Sequence, residues 1–190
     1  FTANFVWIAL SFWTGLAGVI AQLRGAPALT RGLGPAVTTL ATRTAIIMPV
    51  YNEAPQRIFA ALECMYREIE AAGHIAAFDF FVLSDSTDAN AWIAEELAWD
   101  LSRRRLGATG RFFYRRRYEN TARKAGNLAE FCRRWGGHYD HMLVLDADSI
   151  MCGATVIRLA RVLQANPHAG IVQTIPRLVN RNTLFARTHQ

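Results

Sequence analysis

Three short runs of apolar residues, none interrupted by alternating polar positions, constrain the fold more than any other feature. They are Ala45-Ile46-Ile47-Met48, Phe80-Phe81-Val82-Leu83 and His141 to Leu145. A strand with one face in water alternates apolar and polar residues. A strand apolar throughout is covered on both faces, as happens in parallel sheets flanked by helices. The intervening segments have the helical period. From Pro55 to about Ala72, Ile58, Leu62, Met65 and Ile69 recur along one face, and Gly73 closes the segment. Asp88 is placed to cap a helix over 89–105, within which Asp100 and Arg104 form an i,i+4 pair. Helices are also expected over 122–135 and 153–164, and further strands over 111–114 and 171–173, with the first strand stopping at Pro49. Strands and helices in alternation predict an α/β fold with a doubly wound, mostly parallel sheet.

The first 23 residues carry no charged side chain. At ~1.5 Å per residue, Phe5 to Leu23 is long enough to cross a ~30 Å hydrocarbon core, so 1–23 is expected to be a transmembrane helix. Trp7 and Trp13 suit lipid, and Gly15 and Gly18 suit a neighbouring helix. A signal peptide and a buried helix are the alternatives, although no basic region precedes the stretch and no cleavage pattern closes it. Arg24, Arg31 and Arg43 follow it, which by the positive-inside tendency puts the C-terminal side in the cytoplasm. Gly25, Pro27, Gly32, Gly34 and Pro35 make 24–43 a linker or interfacial segment. The chain starts at Phe1 and ends at Gln190 without a closing signal, and is read as a piece of a longer protein.

Polar residues cluster where the strands end. Tyr51, Asn52 and Glu53 follow the first, Ser84 to Asp88 the second, and Asp146, Asp148 and Ser149 the strand at 141–145. In an open parallel sheet, ligands bind beyond the carboxyl ends of the strands, so three acidic loops on one rim point to a site. Alternate residues of an extended chain face the same side. Asp146 and Asp148 would then address one cation, with Ala147 packing inward. Mg²⁺ or Mn²⁺, which share their shell between carboxylates and phosphates, are the fitting ions. A lone Asp-x-Asp also arises by chance or as a cap. Asp85 stands where the base or ribose of a nucleotide would lie, or else caps the following helix, a role better suited to Asp88. Lys124 opens a helix whose free N–H groups would suit a diphosphate, with Gly126 permitting close approach; a solvated helix end is the alternative.

The net charge of +6 admits phosphorylated ligands, anionic lipid or nucleic acid without choosing among them. Ten arginines and Lys124, the chain's only lysine, lie between positions 103 and 134 against Glu119 and Glu130. Phe112, Phe113, Tyr114 and Tyr118 would supply stacking surfaces for nucleic acid, but consecutive aromatics also describe an ordinary strand. The patch is read as solvated surface first and lipid contact second. Cys64, Cys132 and Cys152 are odd in number and scattered, which argues against a disulfide framework or zinc site and fits a reducing compartment. The five histidines are isolated and none is taken as a ligand.

Taken together, Pro49-Val50-Tyr51-Asn52-Glu53, Leu83 to Asp88, Lys124-Ala125-Gly126-Asn127, Asp146-Ala147-Asp148 and Val172-Gln173-Thr174 resemble glycosyltransferase family 2. The Lys-Ala-Gly-Asn and Val-Gln-Thr segments are similar to its processive, cellulose-synthase-like branch. The resemblance implies a GT-A nucleotide-sugar fold over 44–190 and inverting transfer of glucose from UDP-glucose to a growing β-glucan at the bacterial inner membrane. It implies that Tyr51 and Glu53 line the uridine pocket, Asp85 bonds the uracil or ribose, and Lys124 meets the diphosphate. Asp146 and Asp148 would bind nucleotide and metal, and Gln173 would lie near a sugar. The expected partners are the UDP-sugar, the glucan acceptor and membrane lipid, with no nucleic acid.

Ser84-Asp85-Ser86 departs from the Asp-Asp-Gly turn of many members, and its Asp85 takes the place of their second Asp. The family's general base and its Gln-x-x-Arg-Trp motif are expected beyond Gln190. Two other readings stay open: a family 2 transferase using another nucleotide sugar such as UDP-N-acetylglucosamine, and a membrane-anchored basic module binding nucleic acid or lipid.

Overall fold

The computed structural model describes residues 2–23 and 39–174, which fall in two compact units, Phe1–Ala36 and Val37–Gln190. The first contains helix α1, Thr2–Leu23, with no charged residue and with Phe5, Ile8, Phe12 and Trp13 exposed. No helix among the described residues is long and apolar enough to cross a membrane. α1 by itself thus does not show the span expected over 1–23. Most of the expected linker, 24–38, lies outside the described residues.

The second unit runs β1 (Thr44–Val50), α2 (Pro55–Ala71), β2 (Phe78–Ser84), α3 (Ala89–Leu106), β3 (Phe112–Arg116), α4 (Arg123–Trp135), β4 (His141–Val144) and α5 (Gly153–Ala165). All four strands are parallel, in the order β3-β2-β1-β4. The chain therefore winds outward from β1 through β2 to β3 and crosses back to β4. The winding reverses between β1 and β4, the place where open α/β sheets bind ligands.

Helices lie on both faces of the sheet. Ile46, Met48 and Val50 of β1 pack with Ile58, Leu62, Met65 and Ile69 of α2 and with Val156, Ile157 and Ala160 of α5. Ala45 and Ile47 point the other way, into a smaller cluster with Phe81, Leu83 and Phe131 of α4. The expected face of α2 is the one that is buried. Gly153 brings α5 close to α2, since a Cβ there would stand 2.7 Å from Cβ of Glu68.

Four expectations are corrected. β1 does not stop at Pro49 but runs to Val50, with Pro49 paired to Leu83. The carbonyl of Ile47 accepts from Leu145 on the β4 side, so by alternation the imide nitrogen of Pro49 also faces that side, past the last β1–β4 pair, where no ladder bond is lost. Residues 171–173 form no strand: Ile171 is exposed and no described strand pairs with the segment. The end of the linker is packed structure, because Gln164 Oε1 accepts from the amides of Ala41 (2.9 Å) and Thr42 (3.3 Å) and Arg43 pairs with buried Asp79. The strand at 141–145 is also only partly covered here, with Met142 and Val144 exposed.

Candidate functional site

A cleft of about 910 Å³ opens at the carboxyl ends of β1 and β2 and beside the turn after β4. Tyr51, Glu53, Asp85, Lys124, Asp146 and Asp148 line it, so six of the seven residues singled out from the sequence meet in one place. Gln173 is exposed in irregular chain and is not among the lining residues. Its expected place near a sugar comes from the family resemblance of Val172-Gln173-Thr174.

Chain topology explains the convergence. β1 delivers the loop of Tyr51 to Glu53, whose corner is Asn52 in the left-handed region (φ 54). Asn is one of the few residues with a Cβ that enter this region readily. Its amide donates to Ser86 Oγ at 2.8 Å, and its side-chain oxygen accepts from the amides of Thr87 (3.1 Å) and Asp88 (3.2 Å). These bonds stitch the rim of β1 to the rim of β2. Glu53 folds back to accept from the Tyr51 amide at 2.6 Å, while the Tyr51 ring is left exposed.

Beneath this stitch lies Glu95 of α3, fully buried. Ser86 donates its hydroxyl to Glu95 at 2.5 Å and Tyr114 donates its own at 3.0 Å. Burial first, with Glu95 adding to it, pushes the Tyr114 phenol well above its usual range, so it stays a donor. From the sequence, Glu95 is one more acid on a helix; only its neighbours reveal the relay. Asp88 caps α3 by accepting from the Asn90 amide at 3.0 Å, as expected.

Asp85 is 6% exposed, and its carboxylate is held by the fork of Arg117, with Nη2 to Oδ2 at 2.8 Å. Hydrogen bonding to Asp85 raises the Arg117 pKa further, which keeps the guanidinium charged. The side chain expected to read a base is therefore already engaged within the protein, a partnership that sequence reasoning missed. Arg57, Asn120 and Arg123 also line the cleft and were not anticipated. Their signal was faint, since each is an ordinary polar residue in an arginine-rich chain.

Asp146 and Asp148 do not lie on extended chain. Ser149 N donates to Asp146 O at 2.9 Å and closes a turn, and the turn brings both carboxylates to the cleft. Ala147 packs against the core, as expected. Lys124 Nζ pairs with Asp146 Oδ1, with both side chains at least half exposed. No group of three or more His, Cys, Asp or Glu among the described residues could hold a metal. Two exposed carboxylates do not cage an ion, but they fit Mg²⁺ or Mn²⁺ sharing its shell with substrate phosphate and water.

Many of the arginines of 103–134 are spent internally, on Asp100, Glu63, Asp79, Glu130 and Asp85. All three cysteines are free.

A parallel α/β sheet with cations and carboxylates gathered at its switch point marks a protein of the open α/β class, and the four-strand sheet fits the GT-A fold. The profile of glycosyl transferase family 2 matches residues 45–190, and the chain belongs to that family. It is 50% identical over 190 residues to "Glucans biosynthesis glucosyltransferase H" of Shewanella baltica, covering 100% of this chain and 26% of that protein. A protein of the same name from Vibrio cholerae is 50% identical over 192 residues, with the same coverage. The chain thus spans about a quarter of the length of these relatives.

Proposed function

We propose that the chain is the donor-binding part of a membrane-bound inverting glucosyltransferase that moves glucose from UDP-glucose to a growing β-glucan. The observation that carries this reading is the meeting of Asp146, Asp148 and Lys124 with Tyr51 and Glu53 in one cleft, from segments far apart in sequence. The names of the relatives support glucose and glucan as substrates.

In such a transfer an acceptor hydroxyl attacks the anomeric carbon. The bond from that carbon to the diphosphate oxygen breaks on the opposite face, and UDP leaves with the electron pair. Lys124 and Arg123, which line the cleft, would neutralise the charge that builds on the diphosphate. Asp146 and Asp148 would hold Mg²⁺ or Mn²⁺, which when bound supplies further stabilisation of the leaving group. Tyr51 offers an exposed ring against which the uracil stacks, while Glu53 accepts from the nucleoside. Asp85 acts by fixing this wall of the cleft. The acceptor's proton goes to a base expected beyond Gln190, and Gln173 is assigned to the sugar end of the site.

The exposed apolar surface of α1 and the arginines that follow it support attachment at the bacterial inner membrane, with the sheet unit on the cytoplasmic side. Calorimetry with UDP-glucose and Mn²⁺ tests the donor reading. Binding that vanishes in the Asp146→Ala, Asp148→Ala double variant supports it. Nucleotide binding unaffected by that variant, or salt-sensitive RNA binding with no response to UDP, overturns it.

A further inference from the structure

We propose that Arg117 is the positioning residue of the donor cleft, fastening the segment between β3 and α4 in the conformation that presents Lys124 to the ligand. The fastening stands on geometry alone; the identity of the ligand rests on the donor reading above.

Arg117 sits one residue past β3 and is 9% exposed. Its guanidinium uses every edge. One side grips both oxygens of Asp85 at the end of β2. The other donates from Nη1 to the carbonyl of Thr121 at 2.9 Å and from Nη2 to the carbonyl of Arg123 at 2.7 Å. Those carbonyls flank Ala122. Ala122 and Arg123 both lie in the left-handed region, at φ 56 and 48, which residues with a Cβ disfavour. Two such residues in succession persist only where surrounding contacts over-determine them. Arg117 supplies those contacts, and Asn120 adds a second tie, donating from Nδ2 to the Asp85 carbonyl at 2.7 Å.

The next residue is Lys124, whose ammonium meets Asp146 across the cleft. Arg117 is not among the cleft-lining residues, so it acts through the segment it holds. A lysine cannot replace it, because one ammonium cannot fork onto a carboxylate and reach two carbonyls at once.

The test compares the full chain with its Arg117→Lys variant in two measurements. In amide hydrogen exchange, Arg123 and Gly126, which donate to the carbonyls of Asn120 and Ala122, should exchange roughly tenfold faster or more, while Phe80 and Val82 of β2 keep their protection. In calorimetry, UDP should weaken by about tenfold and uridine, which lacks phosphate, by less than about twofold. Arg117→Lys combined with Lys124→Ala should bind UDP no more weakly than Lys124→Ala alone, the non-additivity expected of residues acting through one contact.

Unchanged exchange at 123 and 126 overturns the proposal. So does faster exchange with UDP affinity intact, or with additive losses in the double variant. A wild-type chain that ignores UDP overturns the donor reading instead, and the exchange comparison still decides the fastening. If Arg117→Lys does not fold, Arg117→Gln makes the same comparison, since a single amide cannot fork onto the carboxylate and reach both carbonyls.

Discussion

Replacing Gly126 with alanine sets helix propensity against tertiary contact. In an isolated helix the change would stabilise by about 1 kcal/mol, since glycine is a poor helix former. Here a Cβ on residue 126 would stand 2.0 Å from the carbonyl oxygen of Thr121 and 3.0 Å from Cβ of Ala122. Non-bonded heavy atoms settle near ~3.5 Å, so the carbonyl must retreat by more than ~1 Å. The obstacle is backbone, which cannot rotate aside as a side chain would. The same carbonyl accepts from Arg117 at 2.9 Å, and a hydrogen bond to a charged group contributes about 1.5–3 kcal/mol. Losing it while gaining the propensity of alanine leaves a net destabilisation of about 0.5–2 kcal/mol. For a chain of this size that lowers the midpoint of thermal unfolding by roughly 1–8 °C. Urea unfolding and a thermal scan measure the stability change, and UDP calorimetry measures whether Lys124 is displaced. An alanine variant more stable than wild type that binds UDP equally well would refute the reasoning, because it would mean the segment ahead of α4 yields freely.

Other outcomes follow from the buried polar groups. Glu95→Ala strands the hydroxyls of Ser86 and Tyr114 in the core and should cost about 2–4 kcal/mol by urea titration; Glu95→Gln, which keeps an acceptor, should cost less. Burial lifts the phenols of Tyr114 and Tyr139 well above their usual 10.0, and a hydrogen bond to Asp79 adds to the effect at Tyr139. Above pH ~10 the unfolded chain releases these protons while the folded chain keeps them, so stability falls with rising pH, by up to about 1.4 kcal/mol per pH unit for each tyrosine. Below that range these two groups leave stability flat. Urea midpoints from pH 8 to 11 check this, and Tyr139→Phe should reduce the alkaline slope. Gly153→Ala would press a methyl group onto Glu68 and the backbone of Ile69 where α5 meets α2, for a loss of about 1–3 kcal/mol in the same titration.

The sequence by itself determined the class of fold and the address of the site. Unalternated strands must be buried on both faces, and a parallel sheet places every strand's carboxyl end on one rim, so Tyr51, Glu53, Asp146 and Asp148 could be brought together from local pattern alone. Periodicity reports which face of an element is buried and nothing about which side chain meets which. That is why the strand expected at 171–173 went wrong: a short apolar run becomes a strand only if another strand accepts it. It is also why Pro49 read as a stop, when the missing donor merely faces a side where the ladder has already ended. The partnership of Asp85 with Arg117, the buried Glu95 beneath Asn52 and the carbonyl of Thr121 against Gly126 were decided by tertiary structure. Each depends on groups being placed to within an ångström or so by contacts beyond their own element, and no local preference encodes that placement.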